Sequence, residues 1–109
     1  MLIDSRDIEG KSLVSIHEKR MTADISQEFR DTMTQMIEQG NRHLILDMTE
    51  VEFMDSSGLG ALVAVLKLVH NEGSLRLFGI NENIMTLFKL TRMATIFEIF
   101  PDSQEALAA

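Results

Sequence analysis

The chain has 109 residues, which is enough for one domain with a buried core and too few for a second domain of ordinary size. Its hydrophobic content of 45% and charged content of 25% are typical of a globular protein and exclude intrinsic disorder. The net charge of -7 disfavours nucleic acid as a partner, and the absence of cysteine excludes disulfides, thiolate metal sites and cysteine nucleophiles.

The charge pattern also argues against export and membrane association. Residues 1–7 mix acidic and basic side chains, whereas a signal peptide has a basic start followed by an apolar stretch. The uncharged run from Ser56 to Leu66 is far shorter than the ~20 apolar residues that cross a bilayer. Lys and Arg residues are scattered, so no basic patch for anionic lipids is predicted. We therefore expect a cytoplasmic protein with protein partners.

The first forty residues predict a hairpin followed by a helix. Leu2–Ile8 and Ser12–Ile16 are the two strands, joined by a turn at Glu9, Gly10 and Lys11. The helix has Thr22 or Asp24 as its cap and ends at Gly40. Its apolar face has helical spacing and consists of Ile25, Phe29, Met33, Met36 and Ile37.

The remaining residues predict three further strand and helix pairs. His43–Thr49 has the short apolar run of a strand that is covered on both faces. A second helix starts at Asp55, Ser56 and Ser57 and ends before Gly73. Its predicted inward face consists of Leu59, Leu62, Val63, Leu66 and Val69, and this face is widened by Val65 and Leu68. The later elements are a strand at 74–80, a helix capped by Asn81 or Asn83, a strand at 96–100, and a short helix with Asp102 as cap and Glu105 three residues on.

The predicted order is β-β-α-β-α-β-α-β-α, with about four helices. Strands that alternate with helices favour parallel neighbours joined by right-handed crossovers. We therefore predict one α/β domain over residues 1–109, with a mixed, mostly parallel sheet. The segment from Asp55 to Gly60 then lies between a central strand and the start of a helix.

This segment is the one place in the chain where the residues suggest chemistry. Ser56 and Ser57 lie where unpaired N–H groups and the helix dipole favour a phosphate, so a phosphoserine could form there without unfolding the domain. Gly58 and Gly60 would let another chain approach the backbone. An apolar contact surface would come from Phe53, Met54 and Leu59. Alternatively, Asp55 or Ser56 is only a helix cap, the glycines ease a tight loop, and the apolar residues are core.

The sequence resembles a known family in this same segment. Leu44–Met48 and the run Phe53-Met54-Asp55-Ser56-Ser57-Gly58-Leu59-Gly60-Ala61-Leu62 look like the signature of the STAS family, specifically the bacterial anti-sigma factor antagonists. The resemblance implies that Ser56 is phosphorylated by an anti-sigma factor that is also a serine kinase of the histidine-kinase-like ATPase type. A serine phosphatase of the PP2C type would reverse the modification. Ser57 is then a helix-start residue, and the partner would bind at Phe53, Met54, Asp55, Ser57, Gly58, Leu59 and Gly60.

The chain departs from the family pattern before its first helix. Where the family usually has glycine followed by Leu-Asp, this chain has Lys19-Arg20-Met21-Thr22. Thr22 therefore takes the position of an aspartate that, in the family, lies close to the phosphorylated serine.

Two other functions are compatible with parts of the sequence. A STAS regulator of a non-sigma target, such as a biofilm, secretion or signalling effector, would use the same serine switch. A small enzyme or nucleotide binder would use the loop from Gly58 to Gly60, but Val63 stands where a dinucleotide loop has its third glycine. Neither serine has the Gly-x-Ser-x-Gly context, and the histidines, His17, His43 and His70, form no triad or metal-ligand spacing. We expect no enzyme activity, no metal and no cofactor.

Overall fold

The structure is a computed structural model that describes residues 3–109. These residues form seven strands: β1 (Ile3–Ile8), β2 (Lys11–Ile16), β3 (Arg20–Met21), β4 (His43–Asp47), β5 (Phe53–Met54), β6 (Ser74–Phe78) and β7 (Glu98–Phe100). Four α-helices accompany them: α1 (Ala23–Glu38), α2 (Ser56–Val69), α3 (Glu82–Leu90) and α4 (Ser103–Ala108). A turn of 3₁₀ helix at Met93–Thr95 precedes β7. Leu2, which the sequence placed in the first strand, lies outside the described residues.

Five of the strands form the main sheet in the order β1-β2-β4-β6-β7. β1 pairs antiparallel with β2, and all other pairs in this sheet are parallel. The predicted α/β fold with a mixed, mostly parallel sheet is therefore confirmed. The hairpin turns at Glu9 and Gly10, which both have positive φ, as a tight two-residue turn requires.

The three long helices cover one face of this sheet, and α4 covers part of the other. The main core joins the inward faces of α1, α2 and α3 to alternate residues of the strands, including Val14, Leu44, Leu46, Leu75 and Leu77. A smaller cluster on the opposite face packs Ala106 of α4 against Leu13, Ile45 and Phe78. Leu44, Ile45 and Leu46 are thus all buried, which confirms that β4 is covered on both faces.

Two details of the predicted elements are wrong. The short strands β3 and β5 were not predicted, and they form a separate two-stranded parallel sheet. In α2, Leu68 was expected to widen the inward face but is 48% exposed, whereas Val63 and Leu66 are half-buried and pack against the main core. The small residues Gly58 and Ala61 are buried instead, and Gly58 allows β3 to approach closely.

The helix starts agree with the predicted caps in most cases. Asp55, Asn81 and Asp102 each accept a backbone N–H of the first turn of the following helix. Thr22 is the cap residue of α1, but its hydroxyl donates to the Asp24 carboxylate and makes no capping bond within the described residues. Gly40 follows the end of α1 with φ of 102°, as predicted for a helix-terminating glycine. Within residues 3–109, no helix is both long and apolar enough to span a membrane.

His17 links the hairpin to the loop before β5. Its Nδ1 lies 2.5 Å from Glu50 Oε2, and its Nε2 lies 2.7 Å from Asp4 Oδ2. A neutral imidazole has one N–H, so donation to both carboxylates requires the imidazolium form. The hydrogen bonds to Glu50 and then Asp4 accordingly raise the pKa of His17 above its usual value, against a smaller opposing effect of desolvation.

The raised pKa of His17 predicts pH-dependent stability. The folded state holds the His17 proton more tightly than the unfolded state. The hydrogen bonds of the His17 imidazolium therefore give their full stabilisation below the unfolded pKa of about 6.5, and this stabilisation is lost as the pH rises through the folded pKa. We expect His17→Gln to lower the free energy of unfolding most below about pH 6.5 and progressively less as the pH rises through the folded pKa of His17. Urea denaturation across this range measures the difference. The control is His70→Gln, because His70 is exposed and forms no ion pair with residues 3–109. A pH-independent effect of His17→Gln would contradict the prediction.

Candidate functional site

The segment around Ser56 is positioned by the pairing of β3 with β5. Arg20 lies opposite Phe53 and Met21 lies opposite Met54 in this parallel pair. The Asp55 N–H then donates to the Met21 carbonyl oxygen at 3.3 Å. Because the strands run parallel and both enter helices, the first turns of α1 and α2 begin side by side.

Asp55 holds the start of α2. Its carboxylate accepts the Gly58 N–H at 3.0 Å, and its carbonyl oxygen accepts the Leu59 N–H at 3.1 Å. The side chain is half-buried beneath the first turn. Asp55 is therefore a helix cap, and its predicted contact with a partner stays a prediction.

The two serines differ in exposure. Ser56 is the first residue of α2 and is exposed, whereas Ser57 is half-buried. Neither hydroxyl forms a hydrogen bond with residues 3–109, and the N–H groups of both serines lie in the first turn, where the helix provides no acceptor. The Ser56 hydroxyl is thus accessible to a modifying enzyme, and the positive end of the helix dipole stabilises a negative charge there.

Gly58 makes a close contact inside the domain. A Cβ at this position would overlap the Met21 carbonyl oxygen and lie 2.8 Å from Met54 Cγ. The expected access of another chain at Gly58 is therefore wrong, because β3 already occupies that space. Gly60 is half-buried, and the nearest heavy atom to its hypothetical Cβ is Nη2 of Arg30 at 3.9 Å. Gly60 thus has room for a side chain.

The three apolar residues of the segment also separate into two groups. Met54 and Leu59 are both 5% exposed and belong to the main core. Their side chains do not provide the contact surface that the sequence suggested. Phe53 is 43% exposed, and its contact with a partner stays a prediction.

The sequence did not single out Arg20 as part of this site. Its guanidinium carbon lies 4.6 Å from the centre of the Phe53 ring, a cation–π arrangement. On the same edge, the pKa of Asp24 is lowered mainly by the hydrogen bond from Thr22, and the charge of Arg20 lowers it by a smaller amount. The departure from the family pattern at 19–22 was the available signal, but it did not reveal which side chain stacks on Phe53.

Among residues 3–109, no group of three or more His, Asp or Glu side chains is arranged to hold a metal ion. A cavity of about 220 Å³ lies at the other end of α2, where its lining includes Leu66, His70, Leu75 and Glu98. Its volume is below the ~300 Å³ at which ordinary ligand pockets begin, and it is remote in the fold from the loop at Gly58.

The fold and the serine segment agree with a known family. The STAS domain family matches residues 5–106 of the sequence. The chain therefore belongs to the STAS domain family.

Its similarity to curated proteins indicates a regulatory group within that family. An anti-sigma-B factor antagonist of Listeria monocytogenes is 42% identical over 57 residues, 51% of this chain and 50% of the relative. The match thus spans half the length of that relative. An anti-sigma-B factor antagonist of Staphylococcus aureus is 30% identical over 73 residues, 66% of this chain and 68% of the relative.

A solved structure supports the fold independently. The Bacillus cell fate determinant SpoIIAA in its phosphorylated form superposes with a TM-score of 0.73, covering 98% of this chain and 97% of SpoIIAA. Its sequence identity is 15%, so this likeness concerns the fold alone.

The close contact at Gly58 predicts opposite effects of two glycine substitutions. Gly58→Ala should lower the free energy of unfolding by about 1–3 kcal/mol, because the Met21 carbonyl belongs to paired backbone and cannot move aside easily. Gly60→Ala is the matched control on the same helix, and it should raise stability by up to about 1 kcal/mol because alanine favours a helix interior. Urea denaturation of both variants measures the changes. Equal effects at the two positions would show that the contact with β3 does not constrain Gly58.

Proposed function

We propose that this protein is a phosphorylation-controlled anti-sigma factor antagonist in a partner-switching pathway. The unphosphorylated form binds a cognate anti-sigma serine kinase of the histidine-kinase-like ATPase type, phosphorylation of Ser56 prevents this binding, and a PP2C-type phosphatase restores it. The observation that carries the proposal is the exposed Ser56 hydroxyl at the start of α2, in a chain of the STAS family whose relatives are named anti-sigma factor antagonists.

The site allows phosphorylation to change binding while the fold persists. A phosphate adds roughly -1.5 to -2 charges, and the unpaired N–H groups at the start of α2 stabilise that charge. The same charge on an exposed surface must lose its hydration, or meet like charge, when a partner covers it. Phosphorylation therefore acts on the interface and leaves the core contacts of α2 intact.

The partner-binding residues predicted from sequence take two roles in this proposal. Phe53, Asp55, Ser57 and Gly60 lie at or near the surface and contact the partner. Met54, Gly58 and Leu59 are buried, and they hold the segment in place from beneath. The contact surface is therefore narrower than the sequence motif.

We also propose that the protein is a binding module of the cytoplasm and not an enzyme. In open α/β sheets, ligands bind where neighbouring connections leave the sheet on opposite faces. The connections through α1, α2 and α3 all pack on one face of the described sheet, so its parallel strands form no such crevice. This topology supports protein binding over nucleotide binding at Gly58 to Gly60.

Phosphorylation should be specific to one serine. After incubation with the cognate kinase and ATP, we expect mass spectrometry to find one phosphate on Ser56, because its hydroxyl is exposed at the start of the helix. Ser57→Ala should still be phosphorylated, and Ser56→Ala should not. An unmodified Ser56 in the presence of active kinase would refute the proposed mechanism.

Charge at position 56 should control affinity for the kinase. Ser56→Asp is expected to weaken binding by about tenfold or more, because the partner removes the hydration of the added carboxylate or places like charge against it. Ser56→Asn is the matched neutral control of the same size, and Ser56→Ala should bind like the original protein. Isothermal titration calorimetry compares the variants. Equal affinities of Ser56→Asp and Ser56→Asn would contradict the electrostatic account.

A further inference from the structure

Phe53 and Arg20 form an exposed pair beside the serine switch. Phe53 is 43% exposed although it is a large apolar residue, and the guanidinium of Arg20 covers one side of its ring at 4.6 Å. The guanidinium of Arg20 forms no side-chain hydrogen bond or ion pair with residues 3–109. The pair thus leaves both an aromatic surface and charged N–H donors available to a partner.

The backbone holds this pair in a fixed position relative to Ser56. The Glu52 and Phe53 N–H groups donate to the Lys19 carbonyl oxygen at 2.7 and 3.1 Å, and Arg20 is paired in register with Phe53. Phe53 precedes Ser56 by three residues, in the short strand that leads directly into α2. A partner that covers Ser56 therefore meets a preorganised Arg–Phe pair next to it.

The charge around the pair indicates what Arg20 recognises. The protein has a net charge of -7. Asp24, at the start of α1, has an ionised carboxylate that interacts electrostatically with Arg20. Asp24 makes no ion pair with Arg20, so the planar donors of the guanidinium remain available for a carboxylate of the partner. Arginine and aromatic residues, including phenylalanine, are also enriched at protein interfaces relative to the rest of the surface.

We propose that Arg20 and Phe53 determine partner specificity: they recognise a carboxylate that lies beside an apolar recess on the kinase that Ser56 controls. This inference rests on the function proposed above and names a second part of the same interface. The partner's carboxylate binds Arg20, and its apolar recess accepts the exposed edge of Phe53. A phosphate on Ser56 has the same sign as that carboxylate, so it opposes the approach of the group that Arg20 recruits.

The test uses the full chain and the purified serine kinase that phosphorylates Ser56. Calorimetry compares the original protein with Arg20→Glu, Arg20→Lys and Phe53→Leu, each checked for native circular dichroism and urea stability. We expect Arg20→Glu to weaken binding by about tenfold or more and Arg20→Lys by less, since lysine keeps the charge and loses the planar donors. Phe53→Leu should also weaken binding because it removes the stacked aromatic ring.

The matched control is Arg6→Glu, which makes the same charge change at an exposed position in the middle of β1. It should change affinity by less than about twofold, because a distant exposed charge is screened by salt. Substituting lysine for the partner's carboxylate should restore binding of Arg20→Glu. If the kinase neither phosphorylates nor binds the original protein, the proposed function fails. If the kinase does both, and binds Arg20→Glu as tightly as the original protein, this inference alone fails.

Discussion

The packing of Gly58 against the Met21 carbonyl is the contact on which the geometry of the site depends. A side chain at position 58 would push the first turn of α2 away from β3, and Ser56 would move with it. The same contact requires β3 to pair with β5, because that pairing holds the Met21 carbonyl in place and lets it accept the Asp55 N–H. Gly58 thus fixes Ser56 relative to the neighbouring helix start, at a small cost in helix propensity.

The surrounding contacts make this end of the sheet a rigid base. Asn81 caps α3 through its Oδ1, and its Nδ2 donates to the Glu52 carbonyl oxygen at 2.9 Å, which connects a third helix start to the strand that precedes Ser56. Asp55 satisfies the Gly58 N–H from below. A site supported by backbone hydrogen bonds and a buried core keeps its shape when its surface charge changes. The proposed switch at Ser56 therefore requires no refolding, because the added charge acts at the surface.

The sequence predicted the main sheet, its long helices and the cap at Asp55, because these elements depend on local periodicity and on residues within one helical turn. It could not predict β3 and β5, since two-residue strands have no periodicity and exist only through their pairing with each other. The role of Gly58 was misassigned for a related reason. Gly58 has no Cβ, and the space that this leaves is filled by Met21 of the same chain and not by a partner. Met21 is far from Gly58 in the sequence, so local patterns could not show this contact. Leu68 was placed in the core because its spacing fits the apolar face, but Gly58 and Ala61 are buried in its place.

The residues of the proposed interface lie on two segments of the chain, β3 and the run formed by β5 and α2. β5 and α2 carry the serine, its cap and the buried glycine, and their contacts permit little change. β3 contributes to the core through Met21, which is fully buried, while Arg20 before it is exposed and Thr22 after it is half-buried. A substitution at Arg20 can therefore alter the charge beside Ser56 without disturbing the core. The departure of residues 19–22 from the family pattern is therefore compatible with the proposed switch at Ser56.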